Sequence, residues 1–70
     1  MLTNFKPIKI GSKYVVKLEK FTKSTYLTTT TSGIVIEVGI ELAKELDTLQ
    51  DVTDLAYAYT MNIKYSKNEN

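Results

Sequence analysis

Seventy residues with 43% hydrophobic and 24% charged content describe one small folded domain, too apolar for a fully disordered chain and too short for a second core. The chain has no Cys, His, Arg or Trp, which excludes disulfide staples, thiolate metal sites and most nucleophile–base pairs, and no cofactor is expected. Net charge is +1 but unevenly spread: residues 1–31 hold six lysines against Glu19 (+5), and residues 32–60 hold six acids against Lys44 (−5). Such asymmetry marks either a binding face or two halves that attract each other within one fold. No stretch approaches the ~20 apolar residues of a membrane span, and "MLTNFKPIKI" lacks the apolar core of a secretion signal. A cytoplasmic protein is the expectation.

Pro7 biases Lys6 toward extended backbone, so residues 1–9 read as a lead-in that ends in a short strand at "PIKI". Gly11-Ser12 signals a turn. In "KYVVKLEKF" (13–21), Tyr14, Val16 and Leu18 alternate with Lys13, Lys17 and Glu19, the period-2 pattern of a half-buried strand. Val15 and Phe21 fall on the charged side, so that face is not wholly solvated. "TKS" (22–24) reads as a hairpin turn, and "TYLTTTT" (25–31) as the returning strand, because threonine branches at Cβ and favours extended backbone. Its hydroxyls on both faces leave its register weakly specified. That makes it an expected free sheet edge, able to pair with another copy or another protein. "IVIEV" (34–38) reads as a third strand.

From Ile40 onward the spacing of Leu42, Leu46, Leu49, Val52, Ala56 and Tyr59 is helical. Thr48 stands three residues before Asp51, a capping-box spacing with Asp in place of Glu or Gln. The expectation is a helical turn over 41–46 and a helix over 48–60. "MNIKY" (61–65) returns to alternation and predicts a last strand, and 66–70 a flexible tail. The predicted architecture is α+β: a small antiparallel sheet with one helix on one face, in the order β-β-β-α-β.

Residues 13–65, through "YVVK", "YLTTTTSG", "AKELDTLQDVTDLAYAY" and "NIKY", resemble small uncharacterised proteins of phages and mobile elements of Gram-positive bacteria. Ala43, Lys44, Leu46, Asp47, Thr48 and Asp51 carry the likeness. It implies a non-enzymatic, phage-encoded binding protein that inhibits or modulates a bacterial host protein, such as a component of a defence system. The candidate partner-binding residues fall in two groups. Lys13, Lys17, Lys20 and Lys23, with Phe21 and Tyr26, combine cationic and aromatic side chains, a pattern that also suits a nucleic-acid backbone and stacked bases. Lysine equally guards sheet edges, and without arginine base readout is poor. Asp47, Asp51 and Asp54 would form an acidic stripe at a helix start, either a dipole-compatible solvated face or a local mimic of phosphate. The carboxylate pairs Glu41/Glu45 and Asp47/Asp51 are four apart and could each share a helical face, but acid–base catalysis needs a cleft and a perturbed pKa, for which 70 residues leave little room.

Overall fold

The computed structural model describes residues 4–66. Four strands, β1 (Phe5–Ile10), β2 (Lys13–Leu18), β3 (Thr25–Thr29) and β4 (Val35–Val38), form one antiparallel sheet in sequential order. A 3-10 turn (Ile40–Leu42) and a single helix, α1 (Leu49–Met61), complete the fold. The α+β class is as expected, but the order is β-β-β-β-α.

Two corrections produce that order. The lead-in over 1–9 contains a full strand, because Pro7 sits where its missing N–H costs nothing. Tyr14 exchanges both main-chain hydrogen bonds with Leu46, so Tyr14, Val16 and Leu18 turn their amides away from β1. Pro7 faces Val16 in the register, and its ring nitrogen therefore points to the outer edge, the position at which strands tolerate proline. At the other end, "MNIKY" forms no strand. Met61 completes the last helical turn, and Asn62 takes the left-handed conformation (φ 57°, ψ 45°). The N–H of Asn62 donates to the Tyr59 carbonyl and that of Ile63 to the Ala58 carbonyl, the paired closure of a Schellman motif. Beyond it, Tyr65 N–H donates to the Gly33 carbonyl at 2.8 Å. Residues 67–70 of the expected flexible tail lie outside the described residues.

The helix start follows the sequence closely: Thr48 is extended, and its Oγ1 accepts from Asp51 N–H at 3.1 Å. Alternation along the strands sends Phe5, Val16, Leu18, Leu27 and Val35 toward the helix, where they meet Val52, Leu55, Ala56 and Ala58. Tyr14, Leu46, Tyr59 and Tyr65 close the margins of this core. Burying such a set is the main source of stability for a domain of this size.

β2 and β3 pair directly only at Lys17–Tyr26 and Leu18–Thr25, and then diverge. The gap is filled by residues 44–46. Lys44 N–H donates to the Leu27 carbonyl at 3.0 Å, and Leu46 bridges to Tyr14 at 2.8 and 2.7 Å. The expected helical turn over 41–46 is therefore confined to Ile40–Leu42, and residues 44–46 form a short extended wedge. β3 is consequently interior on both sides, and the threonine tract is not the free edge its composition predicts. The edges of the sheet are β1 and β4.

Candidate functional site

The opposite face of the sheet carries Ile8, Ile10, Val15, Tyr26, Ile36 and Val38, with Lys6, Lys13 and Lys17 beside them. The helix does not cover it. The 3-10 turn that follows β4 packs against β3 and carries Ile40 and Leu42. Val15 is fully buried on the sheet face, yet Ile10, Ile36, Ile40 and Leu42 stay exposed, Leu42 at 65%. The loop from Glu19 to Ser24 adds Phe21, whose ring is wholly in solvent (104%). The predicted three-residue turn is thus a six-residue connection, long enough to lift Phe21 off the sheet. Exposed branched and aromatic side chains are the composition of a protein interface.

The lysines are largely committed within the fold. Lys13 pairs with Asp47, Lys20 with Glu37 at 2.5 Å, and Lys6 and Lys17 share Glu19 at 3.6 and 4.0 Å. Two of these pairs, Lys13–Asp47 and Lys20–Glu37, tie the basic half of the chain to its acidic half, so the charge asymmetry is in large part internal. Lys23 makes no ion pair among the described residues. Tyr26 is half-buried, flanked by Lys17 on β2 and Val38 on β4.

The acidic residues do not form a stripe. Asp47 precedes the helix and holds Lys13, Asp51 is buried at 7% exposure under the first turn, and Asp54 is exposed and accepts from Gln50 Nε2 at 3.0 Å. Positions 51 and 54 share a helix face at i, i+3 spacing, but Asp51 is buried while Asp54 is exposed, and 47 lies outside the helix. The paired carboxylates at Glu41/Glu45 and Asp47/Asp51 likewise share no helix, since Glu41 lies in the 3-10 turn, Glu45 in the wedge and Asp47 before α1.

The most constrained polar group is one that the motif patterns do not single out. Glu37 lies on the helix-facing side of β4 and accepts hydrogen bonds from Lys20 Nζ, Thr25 Oγ1 (2.9 Å) and the Tyr59 hydroxyl. Lys20 foremost, then Tyr59, hold its pKa down at about 2, against 4.5 for a free glutamate. The same carboxylate pushes the Tyr59 hydroxyl above its ordinary value. Tyr59 also meets Phe5 edge-to-face, with centroids 6.0 Å apart. The cluster joins β1, β3, β4, the 19–24 loop and α1. The available signal is parity: in "IVIEV", Val35 and Glu37 share a face, so an acid falls where a core residue belongs. With every partner supplied from within the fold, it is a structural clasp rather than a reactive site.

Two surface clefts flank β4 and the segment before α1 among the described residues. One of about 450 Å³ runs along Thr29–Thr31, Gly33, the wedge and Asp47, and one of about 290 Å³ lies between Ile34–Val35 and the helix C-terminus. Among the described residues, no group of three or more acidic side chains converges as a metal site, and no helix is long and apolar enough to cross a membrane. No protein family, curated protein or solved structure matches this chain.

Proposed function

We propose that the chain is a small binding protein that acts by occupying a surface of another protein, through the sheet face opposite α1. The observation that carries this reading is the exposure of apolar side chains there: Ile10 and Ile36 on the sheet face, with Ile40 and Leu42 exposed in the 3-10 turn and Phe21 in the 19–24 loop. A domain this short has little apolar surface to spare, so leaving these side chains in water is a cost that a partner would offset. Ion pairing of Lys6, Lys13, Lys17 and Lys20 lowers the charge left for a nucleic-acid backbone and supports a protein partner instead. The choice of a bacterial host protein, such as a defence component, rests on the resemblance to phage and mobile-element proteins.

The test has two arms. Wild type and a variant carrying Ile10→Lys and Leu42→Lys, both checked for folding, are used to capture proteins from a Gram-positive lysate. Any protein recovered is then purified and titrated directly. The reading predicts saturable binding that the double substitution weakens at least tenfold. Equal capture by the variant would refute it. In the second arm, single-stranded oligonucleotides are titrated at rising salt. Tight binding that collapses with salt and depends on Lys23 and Phe21 would transfer the function to nucleic acid.

A further inference from the structure

The two edges of the sheet are not equivalent. β1 is defended: Pro7 removes an outward donor, and Lys6 and Lys9 flank it. β4 has neither proline nor lysine. Thr30 N–H donates to the Ile34 carbonyl, so residues 34, 36 and 38 turn their main-chain groups toward β3, and Val35 and Glu37 turn theirs outward. No other described residue bonds these outward groups. Around them Ile34, Ile36 and Ile40 are 40–50% exposed. A short edge without proline or lysine, ringed by exposed isoleucines, is a pairing surface.

We propose that β4 pairs antiparallel with β4 of a second copy about a two-fold axis through Ile36, joining two four-stranded sheets into one of eight. The register follows from the outward residues. Hydrogen-bonded pairs must join odd-numbered positions, which leaves three symmetric alignments. Centring on Glu37 sets two carboxylates directly opposite each other. Centring on Val35 requires the Gly33 carbonyl, which already accepts from Tyr65. Centring on Ile36 pairs Val35 with the partner's Glu37, and Glu37 with the partner's Val35, giving four new main-chain hydrogen bonds. It also sets Ile36 against its own copy at a non-hydrogen-bonded position, where side chains lie closest. Ile34 then faces the partner's Val38. Glu37 keeps its own clasp to Lys20, Thr25 and Tyr59 in this alignment, because only its main-chain groups are used by the partner. The interface is isologous and closes on itself. It is set by the main-chain groups of the sheet edge, and Ile36 is the residue it shares with the exposed face of the proposed function.

Because the chain has no cysteine, crosslinking reads the register directly. Wild type is first sized by sedimentation or light scattering across concentrations, with Ile36→Lys alongside. Wild type should move toward twice 7.9 kDa as concentration rises, and the variant should stay at 7.9 kDa with an unchanged circular dichroism spectrum. Ile36→Cys should then form a disulfide-linked dimer with itself under mild oxidation, since a non-hydrogen-bonded pair brings Cβ atoms within bridging range. Ile34→Cys and Val38→Cys should each crosslink poorly alone and well when mixed. A wild type that is monomeric up to ~1 mM overturns the proposal. So does a dimer that survives Ile36→Lys, or one in which Ile34→Cys links to itself as readily as Ile36→Cys.

Discussion

Glu37 accepts three side-chain hydrogen bonds, and its ionisation is linked to the stability of the fold. Its folded pKa, about 2, lies below the 4.5 of the unfolded chain, so the ionised form stabilises the fold. That contribution is fully present above pH 4.5 and is lost as pH falls through about 2. With a quarter of the side chain exposed, solvent screening reduces it to about 1–2 kcal/mol. Glu37→Gln should lower urea stability by that amount at pH 7 and match wild type at pH 2; an equal deficit at both would show that charge is not the cause. Tyr59→Phe should raise the Glu37 pKa toward 4.5, read by carbon-detected NMR titration. Tyr59, whose pKa is raised, contributes stability that is whole below pH 10 and lost as pH rises through its folded value. Parity in "IVIEV" makes the inward acid legible. Its partners are not, because Lys20 and Tyr59 lie 17 and 22 residues away and only the folded sheet brings them together.

At the scale of elements, the helix is the most legible part of the chain, and for a local reason. Thr48 supplies its cap within three residues, and Leu55, Ala56 and Ala58 give it a buried face. Thr48→Ala should therefore cost about 1 kcal/mol in thermal or urea unfolding. A loss under ~0.3 kcal/mol would mean that packing alone fixes the helix start. The helix end is deceptive because Met61, Ile63 and Tyr65 fit an alternating pattern over a span too short to distinguish it from helical spacing. Asn62 is the available clue, being the residue after glycine that most readily adopts the left-handed cap. β1 is obscured for the converse reason: Pro7 reads as a barrier, yet at an outer edge it only removes a donor that had no partner. Gly33 adds a check on the turn that receives the tail. With φ +86° and a built Cβ 3.2 Å from the Tyr65 carbonyl, Gly33→Ala should destabilise by about 1 kcal/mol or more; a neutral effect would show the turn has room to relax.

Taken as a whole, the molecule balances its charges in large part internally, and its exposed apolar side chains are spread over the sheet, the helix and the connecting segments. The basic first half and acidic second half meet through Lys13–Asp47 and Lys20–Glu37, which is why a near-neutral total conceals such uneven distribution. Exposed pairs of this kind are weak and easily screened. Raising salt to about 0.5 M should therefore change unfolding free energy by less than ~1 kcal/mol, measured by urea titration. A larger fall would make the halves' attraction a principal force in the fold. The α+β class is readable because period-2 and helical patterns occupy separate parts of the chain. Strand neighbours are not, since the threonine tract carries no signal for which side of it will be occupied.

The wedge of residues 44–46 has a kinetic meaning. Tyr14 and Leu46 lie 32 positions apart in the chain and still exchange two main-chain bonds. Neither β2 nor β3 can satisfy its diverging edge until the segment after β4 returns, so a partly built meander holds open backbone that water must serve. Such distant closure slows folding and binds the first half of the chain to the last in one cooperative unit. The amides of Tyr14, Lys44 and Leu46 should accordingly exchange with solvent deuterium only through global unfolding, at rates matching the most protected amides of α1. Faster exchange at Lys44 and Leu46 alone would mark the wedge as a latch that opens while the rest of the domain stays folded.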